Sequence, residues 1–261
     1  MGNYEKMKVP ETIRKCVAFV GLQMPNGGYR IVGTAFFILN DQTKNKIPYV
    51  VTAKHVIEGI KGLGLEKVFL RINTFDNSSK WVETKTENWI DTDNSTIDIA
   101  FSPYQLNDED DLILYPVSAI FSNEDLEKED WGTGDEIYIV GLFTFHAGKN
   151  RNIPIVRVGN IASTIEEKIQ TEYGPMDAYL IEARSIGGLS GSPVFINNGA
   201  LRFRDNSLKY KDEGVQLRLI GMIYGHFDID SGKIDSVLED SPNKQNVNTG
   251  IGIVTPCLSP Q

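Results

Sequence analysis

Hydrophobic residues along the 261-residue chain occur in short runs, either continuous or alternating with polar residues, and turns rich in Gly, Pro, Asn and Asp separate the runs. Because side chains of a β-strand point alternately to the two faces of a sheet, this pattern predicts strands. One helical turn, His55–Ile60, is predicted after the third strand. The six strands predicted in the first half are Cys16–Leu22, Tyr29–Leu39, Pro48–Ala53, Lys67–Ile72, Lys80–Thr84 and Ile97–Ser102.

The second half contains another set of such runs. The six strands predicted there are Glu136–Phe143, Ile153–Ala162, Ala178–Glu182, Pro193–Ile196, Leu217–Tyr224 and Gly250–Val254. Between the two sets lie the acidic stretches Asn107–Asp111 and Asn123–Asp130, which we interpret as solvated connecting chain, because charge runs are usually exposed.

Six strands can close into a barrel, which removes the exposed edges of a sheet. The sequence therefore predicts an all-β protein made of two antiparallel six-stranded β-barrels, with a functional site in the cleft between them. The predicted limits are an N-terminal segment at 1–15, a first barrel at 16–115, a connector at 116–134 and a second barrel at 135–261.

The composition is that of a globular protein with a sizeable core, at 41% hydrophobic residues. A formal net charge of −9 argues against binding to nucleic acid or to a membrane surface, which both need clustered Lys and Arg. The chain has neither an apolar run long enough for a membrane span nor the apolar core of a secretory signal at its start. We therefore expect a cytoplasmic protein whose two cysteines, Cys16 and Cys257, stay reduced and pack as small hydrophobic residues.

Ser190 lies at the centre of the most distinctive stretch, Gly187–Pro193, in which small residues precede an apolar run. A serine between glycines can occupy a tight turn where neighbouring backbone N–H groups point the same way and can bind an oxyanion. Its hydroxyl becomes a nucleophile only if a base removes the proton and a third group orients the base. Ser192 is the less favoured nucleophile, because only Ser190 is framed as Gly-Leu-Ser-Gly.

His55 and Asp98 are the candidates for the base and for the group that orients it. His55 follows an apolar strand, and Asp98 is embedded in the apolar run Thr96–Phe101, where a carboxylate is costly unless it is hydrogen-bonded. Asp91 and Asp93 compete with Asp98, but they lie in polar surroundings that are typical of turns.

The order of these three residues and the motifs around them resemble the trypsin-like (chymotrypsin-fold) serine peptidases, particularly the bacterial branch of HtrA-type enzymes. The α/β-hydrolases also contain a Gly-x-Ser-x-Gly turn, but their acid and histidine follow the serine, which disfavours an esterase on that fold. No PDZ-like domain is expected after Pro256. The motifs that carry the resemblance are Gly33–Ile38, Val51–Val56, Asp98–Ala100, Gly188–Pro193 and Gly250–Pro256.

The resemblance implies that Ser190 is the nucleophile, His55 the general acid and base, and Asp98 the carboxylate that orients the imidazole. It also implies an oxyanion hole made by the backbone N–H groups of Gly188 and Ser190, and no metal or organic cofactor. Leu189 stands where secreted zymogens carry an aspartate that pairs with a newly cut N-terminus. We therefore expect a site that is either built on folding or switched by a regulatory protein partner.

A polypeptide substrate is also implied. Arg184 matches the base of the family's primary specificity pocket, where a cation would favour an acidic side chain before the scissile bond; alternatively it faces solvent or pairs with Glu182. His146 is interpreted as a loop residue. The strand that binds a substrate peptide as an added β-strand is represented by Ile223, Tyr224, Gly225 and His226.

The predicted function is that of a serine endopeptidase, which hydrolyses peptide bonds through an acyl-enzyme formed on Ser190. The alternative is a module of the same fold that binds a peptide or a partner while its catalytic site is latent or inactive.

Overall fold

The computed structural model describes residues 9–92, 94, 96–121, 131–171, 174–183, 188–197, 201–204, 207–210, 217–230 and 246–257. Strands dominate these residues, and most of them belong to two sheets that pack against each other.

The first sheet comes from the first half of the chain. Its strands are β1 (Val17–Gln23), β2 (Tyr29–Leu39), β3 (Pro48–Thr52), β4 (Lys67–Asn73), β5 (Ser79–Lys85), β6 (Ile90–Asp91), β7 (Ala100–Pro103) and β8 (Tyr115–Pro116). The order across the sheet is β5-β4-β1-β2-β3-β7-β6, and β8 pairs in parallel with β2. The sheet curls into a half-barrel whose end strands β5 and β6 do not pair within the described residues, whereas the sequence predicted a closed barrel.

The second sheet is a closed six-stranded barrel. Its strands are β9 (Glu136–Gly141), β10 (Ile155–Ser163), β13 (Tyr179–Glu182), β14 (Pro193–Asn197), β17 (Leu217–Asp230) and β18 (Asn246–Pro256). They pair in the order β10-β13-β18-β17-β14-β9. Two hairpins lie outside the barrel, one formed by β11 (Ile169–Thr171) and β12 (Gly174–Met176), the other by β15 (Leu201–Arg204) and β16 (Ser207–Tyr210). The predicted all-β architecture with two barrel-like units is confirmed.

The helices are short. α1 spans Glu11–Lys15, and α2 spans Lys54–Gly62, which is longer than the single turn that the sequence predicted. One face of α2 is apolar and buried, through Val56, Ile57 and Ile60, which explains why it packs onto the sheet. In the described part of the chain no helix is both long enough and apolar enough to cross a membrane.

One apolar core crosses the boundary between the two sheets. Phe195 and Leu219 of the barrel pack in the same cluster as Phe37 and Tyr115 of the first sheet. The Tyr115 hydroxyl donates to the carbonyl of Leu217 at 2.8 Å, so this buried phenol also ties the sheets together by a polar contact. The two sheets therefore form one packed body, with a seam where they meet.

A loop between β9 and β10, which we call the strap (Ala147–Ile153), reaches across to the first sheet. Arg71 on β4 is 8% exposed, and its guanidinium donates to the carbonyls of Gly148 and Lys149 at 2.8 and 2.7 Å. The amide of Asn152 donates to the side chain of Asn73 at 2.6 Å, and its side chain donates to the Arg71 carbonyl. The strap is thus fixed by the sheet opposite its own barrel.

The acidic run Asn107–Asp111 is not wholly solvated, contrary to our interpretation of its charge. Asp110 is buried and accepts from the hydroxyl of Tyr104 and from Lys80, both at 2.7 Å. Asp111 is also buried, and Lys15 lies 2.7 Å from it. Buried carboxylates need such partners, and basic residues distant in the sequence supply them.

The described parts of all twelve predicted strands fall on observed ones, with boundary shifts of a few residues. The largest shift extends β17 from its predicted end at Tyr224 to Asp230, and another removes Asp98 from the predicted strand Ile97–Ser102, because β7 begins only at Ala100. The domain limits remain a prediction, and residues 122–130 of the predicted connector lie outside the described residues.

Candidate active site

Asp98 and His55 form a directly bonded pair. The Oδ2 atom of Asp98 lies 2.7 Å from Nδ1 of His55, and Oδ1 accepts the backbone N–H of His55 at 2.9 Å. The carboxylate is 9% exposed and the imidazole 24%, so the acid is covered while the ring reaches the surface. Two bonds from one carboxylate fix both the position and the orientation of the histidine.

The second of these bonds also caps helix α2. Ala53 occupies the N-cap position and offers no side-chain acceptor, so the first amides of the helix need an acceptor from elsewhere. Asp98 supplies it from outside the helix. The competing Asp91 instead pairs with Lys54 at 3.0 Å and is 43% exposed, and Asp93 lies outside the described residues.

Ser190 lies on a tight turn that the barrel holds from within. The N–H of Gly191 donates to the carbonyl of Ile223, and the N–H of Ile223 donates to the carbonyl of Ser192, both at 2.9 Å. Gly188 and Gly191 have φ values of +101° and +83°, a region that favours glycine. Leu189, where zymogens carry an acid, is buried in the apolar core of the barrel.

Gly191 brings this turn against the first sheet beside the start of α2. A Cβ atom placed on Gly191 would lie 2.1 Å from the carbonyl oxygen of Thr34 and 3.1 Å from the amide nitrogen of Ala53. Ala53 precedes His55 by two residues. The close packing at this glycine therefore brings the serine turn of one sheet beside the histidine helix of the other.

The hydroxyl of Ser190 donates to the carbonyl of Tyr224 at 3.3 Å. The ring of Tyr224 stands edge-on to the imidazole of His55, with 5.6 Å between the ring centroids. A small cavity of about 130 Å³ adjoins them, and its lining includes His55, Asp98, Tyr224, Thr171 and Met176. His55 and Asp98 thus line one depression, and Tyr224, which also lines it, contacts both the imidazole of His55 and the hydroxyl of Ser190.

The backbone amides of Gly188 and Ser190 donate to no acceptor among the described residues. The carbonyls of the same two residues are both bonded to Thr34 of the first sheet. The turn is therefore held by its carbonyl side and by the amide of Gly191.

No protein-family profile matches this sequence, and no curated protein sequence is detectably similar to it. Comparison of the fold with solved structures is informative instead. The protease domain of MamO from Magnetospirillum magneticum aligns with a TM-score of 0.55 at 13% identity, over 94% of this chain and 93% of that one. Rv3671c from M. tuberculosis H37Rv, solved as a Ser343Ala mutant in an inactive form, aligns with a TM-score of 0.50 at 16% identity, over 95% and 84% of the two chains. Deg5 aligns with a TM-score of 0.50 at 13% identity, over 82% and 80%.

These neighbours are trypsin-like serine proteases. The chain has the trypsin-like protease fold. The fold resemblance that the motif order indicated is therefore confirmed, although sequence identity at this level carries no residue-by-residue assignment.

The predicted substrate-binding residues of this trypsin-like fold are placed unevenly. Arg184 lies outside the described residues, so its role stays a prediction. Ile223 is buried, and both its backbone polar groups support the serine turn. A Cβ atom on Gly225 would meet nothing within 4 Å, so this position faces open space. His226 is half-buried and pairs with Gly252 of β18.

Residues that sequence reasoning did not assign to the site include Thr34, Thr171 and Met176. Thr34 lies inside the motif Gly33–Ile38, yet nothing in that motif predicts its bonds to the serine turn. The hairpin β11–β12, which carries Thr171 and Met176, is too short to give a periodic signal. His146 lies on an exposed turn, Thr144–His146.

Within the described ranges, no group of three or more His, Cys, Asp or Glu side chains could hold a metal ion. Both cysteines are free thiols; Cys16 is buried and Cys257 is partly covered. Burial raises the pKa of Cys16 to about 12, which suits a packing role rather than a nucleophilic one.

Proposed function

We propose that this protein is a serine endopeptidase that cleaves polypeptides through an acyl-enzyme on Ser190. The observation that carries the proposal is the doubly bonded pair of Asp98 and His55 beside the serine turn. A solvated histidine needs no buried carboxylate on its Nδ1, whereas a general base needs its tautomer and its orientation fixed.

The proton transfers follow from this pair. With Nδ1–H donating to Asp98, Nε2 of His55 carries the lone pair and can accept the proton of the Ser190 hydroxyl. The alkoxide character that develops on Ser190 allows attack on the peptide carbonyl. The imidazolium, stabilised by Asp98, then protonates the leaving amine, and the same base activates water to release the acyl group.

The negative charge that develops on the carbonyl oxygen needs free donors. Among the described residues the amides of Gly188 and Ser190 have no acceptor, and we assign the oxyanion hole to them. Preorganised amides of this kind typically lower a barrier by about 3–4 kcal/mol each.

One edge of β17 could pair with a substrate chain. β14 pairs with β17 only as far as Met222, so beyond that point this side of β17 has no strand partner among the described residues. The Tyr224 carbonyl lies just past this limit. An extended peptide added along this edge would place a backbone N–H near that carbonyl, which supports a polypeptide as the substrate.

The same geometry favours a second candidate, a latent peptide-binding module. The Ser190 hydroxyl is bonded to Tyr224 and not to His55. A hydroxyl held by a carbonyl is not poised for proton transfer, so this arrangement would bind a peptide without cleaving it until the hydroxyl turns.

Labelling with a fluorophosphonate probe tests the two candidates. We expect wild-type protein to form one covalent adduct that maps to Ser190 and is absent in Ser190→Ala. Ser192→Ala is the matched control, because the Ser192 hydroxyl is fully buried and lies in the same turn. It should label as wild type does. Absence of any Ser190-dependent adduct in a folded protein that still binds peptides would favour the binding module.

A further inference from the structure

Thr34 of β2 makes two hydrogen bonds to the serine turn, one through its side chain and one through its backbone. Its hydroxyl donates to the carbonyl of Gly188 at 3.0 Å, and its backbone N–H donates to the carbonyl of Ser190 at 3.0 Å. The residue is fully buried at the seam between the sheets. The side chain and the backbone amide of Thr34 therefore bind two carbonyls of the turn that carries Ser190, those of Gly188 and of Ser190 itself.

The hydroxyl of Thr34 has a second partner. It accepts the backbone N–H of Leu142 at 2.9 Å, while the Thr34 carbonyl accepts the hydroxyl of Thr52 at 2.7 Å. A hydroxyl has one proton to donate, and here the proton goes to Gly188 while a lone pair receives Leu142. This polarity is fixed, because an N–H cannot accept and a carbonyl cannot donate.

Gly188 needs an external constraint of this kind. Its φ of +101° lies in a region where a glycine backbone has wide freedom, and the residue has no side chain to anchor it. Leu142 and Thr144 lie against it, at 3.1 and 3.0 Å from where a Cβ atom would be. The hydrogen bond to its carbonyl fixes the peptide plane that follows Gly188, and the packing of Leu142 and Thr144 restricts rotation at Gly188 itself. The two constraints together limit the directions in which the N–H of Gly188 can point.

We propose that the Thr34 hydroxyl is a positioning residue for the oxyanion hole. It acts through Gly188 without touching the substrate, and the inference rests on the proposed function. Leu142 precedes the strap, and Arg71 of the first sheet binds the strap carbonyls of Gly148 and Lys149. Through its bond to Leu142, Thr34 therefore also links Gly188 to the chain that leads into the strap.

The test compares Thr34→Val, which keeps the shape and removes the hydroxyl, with Thr34→Ser, which keeps the hydroxyl. Removing a direct oxyanion donor costs about 10²–10³ in kcat, so a residue acting at one remove should cost about 10- to 100-fold. We expect Thr34→Val to lose that factor in kcat on a peptide substrate, with KM changed less than about threefold. Thr34→Ser should recover kcat to within about threefold of wild type.

Thr86→Val is the matched control for lost stability, because the buried Thr86 hydroxyl donates to the carbonyl of Glu66, which precedes β4 and makes no hydrogen bond to the serine turn. It should lower the melting temperature without changing kcat. If Thr34→Val does not fold, Thr34→Cys replaces it, since a thiol fills a similar volume but bonds weakly; its kcat should fall between those of the Ser variant and the inactive limit.

The affinity for a peptide boronic acid, which mimics the tetrahedral intermediate, distinguishes the two roles. A purely structural contribution of Thr34 would leave this affinity unchanged in the folded variant. For a positioning role it should fall in parallel with kcat in Thr34→Val, while affinity for the cleaved peptide product stays constant. The positioning role is overturned if wild-type protein hydrolyses the peptide and Thr34→Val, or Thr34→Cys in its place, retains wild-type kcat and boronate affinity. A wild-type protein with no Ser190-dependent reaction would instead remove the proposed function itself.

Discussion

Gly191 packs directly against the backbone of the first sheet, and Gly191→Ala tests whether this close approach assembles the site. The new Cβ atom would lie 2.1 Å from the Thr34 carbonyl oxygen and 2.5 Å from the Thr52 hydroxyl. Contacts this short do not occur at real Cβ atoms, so the turn must retreat by roughly 1 Å. The φ of +83° adds backbone strain for any residue with a side chain.

The magnitude follows from two separate contributions. Strain in the left-handed region costs about 1–2 kcal/mol, and overpacking against rigid backbone costs about 1–3 kcal/mol more. We therefore expect Gly191→Ala to lower the free energy of unfolding by about 2–5 kcal/mol. Gly64→Ala isolates the first contribution, because Gly64 has a φ of +72° and nothing lies within 4 Å of its Cβ position.

Denaturant unfolding of the three proteins gives the free energies, and the rate of fluorophosphonate labelling reports the reactivity of Ser190, which under the proposed function depends on its position relative to His55 and helix α2. Gly64→Ala should lose about 1–2 kcal/mol and label at the wild-type rate. Gly191→Ala should lose more and label at least tenfold more slowly, because the retreat carries Ser190 away from α2. Equal stability losses in the two variants, with equal labelling rates, would refute the close packing described here.

Two further perturbations test the contacts that hold the first sheet and the strap. Burial alone would raise the pKa of Asp111, but hydrogen bonds from Lys15 and Arg151 outweigh it and hold the pKa below its usual value. Asp111→Asn should therefore lower the free energy of unfolding by about 1–2 kcal/mol at pH 7, and this difference should fade below about pH 4, as both states become protonated; a constant difference from pH 7 to pH 2 would contradict it. The Arg71 guanidinium is buried without a carboxylate partner among the described residues, so the hydration it has lost offsets much of its bonding. Arg71→Met should lower the free energy of unfolding by less than about 2 kcal/mol while hydrogen exchange at the strap amides becomes at least tenfold faster, and unchanged exchange would exclude a clamping role.

The larger strands could be predicted because their burial alternates or runs continuously over many residues. The predicted range of β2, Tyr29–Leu39, coincides with the observed one, since both ends meet polar turns. β6 and β8 contain two residues each and carry no periodic signal. Closure of a sheet depends on pairings at its ends that no local pattern records. The sequence therefore predicted closure for both sheets, whereas within the described residues only the second sheet closes.

The pairing of His55 with Asp98 could be inferred from residue types and their order. The bond from Thr34 to Gly188 and the bonds from Arg71 to the strap could not be inferred in this way. Each joins a side chain to a backbone carbonyl far along the chain, and any residue supplies a carbonyl. Sequence reasoning therefore finds groups with distinctive chemistry and misses the groups that hold them in place.

The capping of α2 by Asp98 has a consequence for how such a chain can diverge. If this chain performs the proposed hydrolysis, a lineage that lost it could replace Ser190 at little cost, since among the described residues its hydroxyl makes one bond, to the carbonyl of Tyr224 at 3.3 Å. Replacing Asp98 would also uncap a helix, at a cost of about 1 kcal/mol in a protein with little stability to spare. Among descendants that do not hydrolyse peptides, Asp98 should therefore be retained longer than Ser190. The presence of Asp98 alone is then weak evidence for catalytic activity.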